Sequence, residues 1–166
     1  MSLVRHYVID SSSLIELMRM NPIDIFVTVW EKIDELINEG RMVSHEYVLD
    51  EIRRGDDDLK KWANRHKKMF KSSTFSQIKT VTEMLTKFPG LAHSNKDTPD
   101  ADPFVIAMAL ENQKMAIEDF GTATERIVIS EEKPKGNEHK IPFVCQQYGI
   151  RCIGIYEMFR DEGWKF

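Results

Sequence analysis

Short apolar segments rich in β-branched residues alternate along this chain with longer segments of helical periodicity. Strands are predicted at residues 4–9, 41–44, 114–118, 126–130 and 150–153. Because helical segments separate most of them, neighbouring strands can pair in parallel while helices cover both faces of the sheet. The pattern therefore predicts the α/β class.

The helical segments have recognisable starts and stops. Helices are predicted at residues 14–18, 22–39, 45–54, 56–69, 74–88, 103–113, 142–148 and 156–160. A chain of 166 residues is close to the ~150 residues typical of one domain. We therefore predict a single domain over residues 1–166, in which residues 45–88 form an all-helical insertion or cap between strands.

Charge and hydropathy exclude some classes of protein. The net charge of −4, from 23 basic and 27 acidic residues, argues against a protein that coats nucleic acid non-specifically. The longest apolar run, residues 104–110, is far shorter than the ~18 residues of a membrane helix. The first residues lack the apolar stretch of a signal peptide, so a cytoplasmic location is expected.

Acidic residues stand where a parallel sheet would form a site, beyond the carboxyl ends of its strands. Asp10 follows the first predicted strand, and because Ser12 and its serine neighbours could cap the next helix, the charge of Asp10 is not needed for capping. Glu51 lies at the border of its helix's apolar stripe, between the directions of Tyr47 and Val48. A helix cap and a solvated helix-face residue are the structural alternatives for these two acids.

Two further acidic positions fit the same edge. Asp102 stands before a proline at a predicted helix start, yet its side chain is centred on an apolar stripe, where an unpaired carboxylate is costly. Asp100 is nearby and is expected to be exposed in a loop. Glu131 and Glu132 follow the fourth predicted strand, and one of them should reach this edge, although a polar loop start would also explain them.

Carboxylates that converge on one edge repel each other and cannot all stay ionised unless a cation neutralises them. A ligand set made only of oxygen atoms favours hard cations such as Mg²⁺ or Mn²⁺. Such a site lacks a nucleophilic side chain, so its expected chemistry is in-line attack of metal-activated water on a phosphodiester.

Four short acidic motifs follow one another along the chain. They are Tyr7-Val8-Ile9-Asp10-Ser11-Ser12, residues 48–52 around Glu51, residues 102–109 beginning with Asp102, and Val128-Ile129-Ser130-Glu131-Glu132. In this order they resemble the motifs of PIN-domain nucleases, and the likeness covers nearly the whole chain. Segments 26–30 and 140–145 are similar to a poorly characterised prokaryotic PIN-like subgroup.

The resemblance implies a three-layer α/β/α PIN-like sandwich around a central parallel sheet of roughly five strands. It also implies Mg²⁺- or Mn²⁺-dependent cleavage of single-stranded RNA, homodimers and, as in VapC-type toxins, inhibition by an antitoxin protein. By position, Asp10, Glu51 and Asp102 match the first three metal-binding acids of the family. Glu132 matches the fourth, although the family usually has Thr and Asp where this chain has Ser130 and Glu132. Secondary candidates for the site are Ser12, Asp100, Ser130 and Glu131.

A basic segment between residues 53 and 71 favours a polyanionic partner. Its candidate RNA contacts are Lys60, Lys61, Arg65 and Lys68. Basic side chains interleaved with aromatic ones, here Trp62 and Phe70, suit single-stranded nucleic acid. The structural alternative is a solvated helix face, because the acidic residues 56–58 cancel part of the charge.

The leading hypothesis is thus a PIN-like endoribonuclease that cleaves single-stranded RNA, and the resemblance extends it to the toxin of a type II toxin–antitoxin pair. The departure at Ser130 and Glu132 motivates a rival, a PIN-like module that binds RNA or protein without catalysis. A third hypothesis is a phosphatase or receiver-like domain in which Asp10 accepts a phosphoryl group.

Overall fold

A parallel sheet forms the centre of the fold in a computed structural model, which describes residues 3–55, 57–92, 100–116, 123–136 and 138–166. The strands are β1 (Leu3–Ile9), β2 (Met42–His45), β3 (Phe70–Lys71), β4 (Ala123–Ile129) and β5 (Arg151–Ile153). They lie in the order β3-β2-β1-β4-β5, and every pair is parallel. The predicted three-layer α/β/α fold with a five-stranded parallel sheet is confirmed.

Helices connect the strands and flank the sheet. They are α1 (Ser11–Met20), α2 (Val27–Asn38), α3 (Glu46–Ile52), α4 (Asp57–Arg65), α5 (Phe75–Lys87), α6 (Asp102–Ala116), α7 (Ile141–Gln147) and α8 (Ile155–Asp161), with 3₁₀ turns at Lys67–Met69 and Pro89–Leu91. Among the helices in the described ranges, none has the length and apolar character that a bilayer crossing needs.

The central strands β1 and β4 are buried on both faces. In β1, Tyr7, Val8 and Ile9 have no exposed surface, and neither do Ile127 and Val128 in β4. Successive side chains of a strand point to opposite faces, so a run of fully buried residues requires cover on both sides of the sheet. The continuous apolar runs of these strands are therefore explained by the three-layer arrangement.

The register of β1 and β4 aligns the residues that follow them. The pairing continues to Ile9 and Ile129, and the backbone N–H of Asp10 then donates to the carbonyl oxygen of Ile129 at 2.9 Å. In the same way, the backbone N–H of Ser130 donates to the carbonyl oxygen of Ile153 in β5 at 3.0 Å. The carboxyl ends of three adjacent strands thus meet at one edge of the sheet.

Two predicted helices have boundaries several residues away from those in the structure. The second predicted helix does not begin at Pro22, because the backbone N–H groups of Ile25 and Phe26 both donate to the Pro22 carbonyl and close a turn. Ile25, which fits the helical spacing, is 69% exposed, and α2 begins only at Val27. The predicted helix at 56–69 ends as α4 at Arg65.

One predicted strand and one predicted all-helical segment are also wrong. Residues 114–116 continue α6 to Ala116 instead of forming a strand, because a short apolar run cannot be assigned by periodicity alone, while residues 117 and 118 lie outside the described ranges. The segment 45–88 is not all-helical, since it contains β3, which pairs with the end of β2. A two-residue edge strand is too short to leave a sequence pattern.

Candidate metal centre

Asp10 lies at the carboxyl end of β1 with 1% of its surface exposed. Its Oδ1 atom accepts a hydrogen bond from the backbone N–H of Ser11 at 2.7 Å and caps α1. Its Oδ2 atom accepts hydrogen bonds from the hydroxyls of Ser12 at 2.7 Å and Ser130 at 3.2 Å. Because each carboxylate oxygen carries two lone pairs, these bonds leave Asp10 able to bind a cation as well.

The same two serines connect Asp10 to the loop after β4. The hydroxyl of Ser12 accepts a hydrogen bond from the backbone N–H of Glu131 at 3.1 Å. The hydroxyl of Ser130 accepts one from the backbone N–H of Glu132 at 3.2 Å. Ser12 and Ser130 therefore hold the buried carboxylate and the start of this loop in one fixed arrangement.

Three carboxylates converge at this edge of the sheet. Asp10, Asp102 at the start of α6 and Glu132 in the loop after β4 each offer one oxygen atom, and these oxygens all lie within 4.8 Å of one another. Asp10 is buried, and Asp102 and Glu132 are partly buried. The sequence prediction that acids distant along the chain meet at one edge is therefore confirmed for these three residues.

Burial and mutual repulsion make full ionisation of this cluster unfavourable. Burial raises the pKa of the Asp10 carboxyl to about 6, and the neighbouring charges of Glu132 and Glu51 add to the rise. Burial likewise raises the pKa of Asp102 to about 9, again with help from the surrounding acids. Two unit charges 4.8 Å apart repel by about 3 kcal/mol at an effective dielectric constant of about 20. A divalent cation would remove this repulsion.

The size of the cluster suits a hard divalent ion. Mg²⁺ binds oxygen at about 2.0–2.1 Å, so two ligands on opposite sides of the ion are about 4 Å apart. The oxygens of the cluster lie within 4.8 Å of each other, which matches this dimension with small side-chain adjustments. The donor set consists of carboxylate oxygens. Mg²⁺ and Mn²⁺ prefer such oxygen ligands, whereas softer metals prefer sulfur ligands.

Glu51 stands beside the cluster but is not one of its three members. Its Oε2 atom accepts a hydrogen bond from the hydroxyl of Ser11 at 2.6 Å, and its Oε1 atom accepts one from the backbone N–H of Ala101 at 3.3 Å. Its charge nevertheless contributes to the raised pKa values of Asp10 and Asp102. Sequence reasoning did not single out Ser11, which links the start of α1 to α3; the serine run after β1 was its signal.

The side chains of Glu131 and Glu132 contact two different helices. This difference bears on the question, left open by the sequence, of which of the two acids joins the site. The Oε1 atom of Glu131 accepts a hydrogen bond from the backbone N–H of Ile155 at 2.7 Å, at the start of α8. The Oε2 atom of Glu132 accepts one from the backbone N–H of Ile141 at 3.1 Å, at the start of α7. Of these two neighbours, Glu132 is the one in the carboxylate cluster.

A matched pair of substitutions separates these roles. We expect Glu132→Gln to lower Mn²⁺ affinity by more than ~10-fold, because even partners of metal ligands cost about 10–100-fold. Glu131→Gln is expected to leave both Mn²⁺ affinity and the free energy of unfolding close to wild type, because its amide oxygen can still accept the hydrogen bond from the backbone N–H of Ile155. Calorimetric Mn²⁺ titration and urea unfolding measure the two effects. Equal loss of Mn²⁺ affinity in both variants would contradict this assignment.

The remaining predicted residues lie around the centre or away from it. Asp100 is partly buried rather than exposed, and its charge adds to the raised pKa of Asp102. The candidate RNA contacts are all exposed: Lys60, Lys61, Arg65 and Lys68. The first three of these belong to α4, whose buried side holds Leu59 and Trp62.

Comparison with known proteins gives a family and no activity. Residues 7–166 match a family model described as "Domain of unknown function (DUF4411)". The matched segment contains the whole carboxylate cluster and all five strands except the first residues of β1. No curated protein matches the chain.

Proposed function

We propose that this chain, which belongs to the DUF4411 family, is a PIN-like endoribonuclease that uses Mg²⁺ or Mn²⁺ to cleave single-stranded RNA. The observation that carries the proposal is the cluster of Asp10, Asp102 and Glu132, with oxygens within 4.8 Å of one another at the carboxyl edge of the sheet. This edge is where open parallel sheets bind their ligands. The order of the acidic motifs, similar to that of PIN-domain nucleases, supports the same activity.

In this proposal the side chains divide the work between holding the cation and positioning its ligands. Asp10, Asp102 and Glu132 bind the ion, and a bound divalent ion supplies a water of lowered pKa and stabilises charge on phosphodiester oxygens. Ser12 and Ser130 fix the orientation of Asp10 through its Oδ2 atom. Glu51, held by the Ser11 hydroxyl, adds negative charge beside the centre and would strengthen its attraction for a cation.

The proposed partners follow from the charge distribution and from the resemblance. The exposed basic side chains of α4 would contact RNA phosphates, and such contacts weaken as salt rises. The proposal extends to a homodimer and to the toxin of a type II toxin–antitoxin pair. Adjacent exposed apolar residues, Ile25 at 69%, Phe26 at 41% and Val27 at 51%, support a protein partner. A neighbouring small reading frame for a DNA-binding antitoxin would add further support.

The direct test combines a metal titration with an RNA assay. We expect wild-type protein to give a saturable heat with Mn²⁺ at or below millimolar concentration, and to cleave a 3′-labelled single-stranded RNA into a labelled downstream fragment that carries a new 5′-phosphate. A chelator should abolish cleavage, and added Mn²⁺ should restore it.

Other outcomes favour the rival functions. RNA binding without saturable Mn²⁺ heat and without cleavage would favour a non-catalytic binding module. A mass increase corresponding to one phosphoryl group after treatment with a small phosphodonor would favour Asp10 as a phosphoryl acceptor, and either result would overturn the nuclease proposal.

A further inference from the structure

Three aromatic rings, from His45 at the end of β2, Tyr47 in α3 and Phe104 in α6, meet in one group. The ring centroids of His45 and Tyr47 are 4.7 Å apart, those of His45 and Phe104 are 4.9 Å apart, and those of Tyr47 and Phe104 are 4.8 Å apart. Tyr47 and Phe104 are perpendicular, with an interplanar angle of 90°, whereas His45 is tilted by only 31° from Phe104. The Tyr47 and Phe104 rings therefore form a right-angled corner, with His45 beside both.

His45 is the fixed part of this group. It is fully buried, and its Nδ1 atom accepts a hydrogen bond from the backbone N–H of Tyr47 at 3.1 Å. Its Nε2 atom then carries the proton and donates to the hydroxyl of Ser73 at 2.7 Å. Burial lowers the pKa of His45 to about 4, so the ring stays neutral at physiological pH and serves as a rigid support.

Tyr47 and Phe104 stand next to the acidic residues and are both partly exposed. Tyr47 precedes Glu51 by one turn of α3, a spacing that puts the two on the same face of a helix about 5–6 Å apart. Phe104 follows Ala101 by three residues, and the backbone N–H of Ala101 donates to Glu51, so the contact between Tyr47 and Phe104 lies one helical turn from the contact between Glu51 and Ala101. Tyr47 packs against the hydrophobic core, and Phe104 packs on Tyr47 and His45, so both rings are held in place while part of each remains exposed.

From this geometry we infer that Tyr47 and Phe104 form a stacking site for one unpaired nucleobase, belonging to a nucleotide adjacent to the phosphodiester held at the carboxylate cluster. The inference rests on the proposed nuclease function and gives it a substrate-positioning surface. Aromatic side chains stack on any base, because every base has a π-face. The site would thus act without strong sequence preference.

The stacking site also gives a physical reason for a single-stranded substrate. A base in a duplex is paired and stacked, and removing it from the helix costs a few kcal/mol. A base in a single strand can reach the ring corner while its neighbouring phosphate lies at the cation that the acids would hold. We therefore expect the same RNA annealed to its complement to be cleaved at least about 10-fold more slowly.

The test is a double-mutant cycle in which one change is made in the protein and the other in the RNA. Tyr47→Leu keeps an apolar side chain for the core and removes the ring, and we expect it to raise KM for a single-stranded RNA by about 5- to 100-fold with kcat and Mn²⁺ affinity unchanged. Wild-type protein should lose the same factor on RNAs with an abasic nucleotide beside the cleaved bond. On the abasic RNA, Tyr47→Leu should cause no further loss, because both changes remove one interaction.

Two control variants make the result specific. Tyr47→Phe keeps the ring and should retain a wild-type KM. Phe166→Leu removes an exposed aromatic ring from the C-terminal tail, which packs near the opposite edge of the sheet, where Glu162 contacts Arg41 just before β2. This variant should also behave as wild type.

Each outcome bears on one proposal or the other. If wild-type protein cleaves RNA and the Tyr47→Leu and abasic losses multiply independently, the stacking inference is overturned while the nuclease function stands. Wild-type protein could also bind the RNA without ever cleaving it. If Tyr47→Leu and the abasic nucleotide then lower the binding affinity by the same, non-additive factor, the stacking inference stands and the nuclease proposal fails. If it neither binds nor cleaves single-stranded RNA, both are overturned.

Discussion

Asp10→Asn is expected to lower Mn²⁺ affinity and the rate of RNA cleavage by more than ~100-fold, because outer-shell partners of a metal ligand alone cost about 10–100-fold. The amide matches the carboxylate in size, and its oxygen can still accept the hydrogen bond from Ser11 that caps α1. The substitution removes one negative charge from a centre in which Asp102 and Glu132 lie within 4.8 Å of it. Charge, rather than shape, is therefore what the variant tests.

The fold of this variant should remain intact, which makes the loss interpretable. The hydroxyls of Ser12 and Ser130, which donate to Asp10, can rotate and accept hydrogen bonds from the new amide. Circular dichroism and the urea midpoint check this point. Asp24→Asn, at an exposed aspartate after Pro22, is the matched control and should bind Mn²⁺ and cleave RNA as wild type does. Cleavage by Asp10→Asn at the wild-type rate would refute the metal centre.

The sheet was predictable because its strongest elements leave strong patterns. The buried residues 7–9 of β1 and 127–129 of β4 are short apolar runs made mostly of β-branched residues. The capping box of Thr74 and Gln77 likewise marks the start of α5. Elements that depend on tertiary contacts were missed. The two residues of β3 are a strand only because they pair with β2, and no local signal can report such a pairing.

The sequence predicted that acidic residues would form the centre, but it could not predict which of them would lie together. Strand ends and helix starts identified Asp10 and Asp102, because topology brings those positions to one edge. Sequence reasoning could not decide between Glu131 and Glu132, since the choice depends on which helix start each carboxylate meets. The corner of Tyr47 and Phe104 joins α3 to α6, and a contact between residues so far apart leaves no motif.

The raised pKa of Asp102 predicts a stability cost that a cation removes. Its pKa in the folded protein is about 9, against roughly 4 for an unfolded chain. Because the folded state favours the protonated form, the contribution to stability is fully present below about pH 4 and is lost as the pH rises through about 9. Metal-free protein should therefore carry an unfavourable buried charge as Asp102 ionises, and Mn²⁺ should relieve it.

Asp102→Asn is accordingly expected to stabilise the metal-free protein at alkaline pH while it destroys the metal response. Removing a partly buried charge that its acidic neighbours repel gains about 1–3 kcal/mol, which corresponds to a rise in Tm of about 3–10 °C for a chain of this length. Saturating Mn²⁺ at about 100 times its Kd should stabilise wild type by about 2.7 kcal/mol and the variant by far less.

Thermal unfolding of both proteins at pH 6 and pH 9, with chelator or with Mn²⁺, measures these effects together. The stabilisation by Asp102→Asn in chelator should grow from pH 6 to pH 9, since Asp102 is mostly protonated at the lower pH. A variant that is less stable than wild type at pH 9 in chelator would show that Asp102 is a structural partner rather than a repelled ligand. A Tm increase with Mn²⁺ equal to that of wild type would place the cation elsewhere, because a ligand whose charge is lost cannot leave its ion's affinity unchanged.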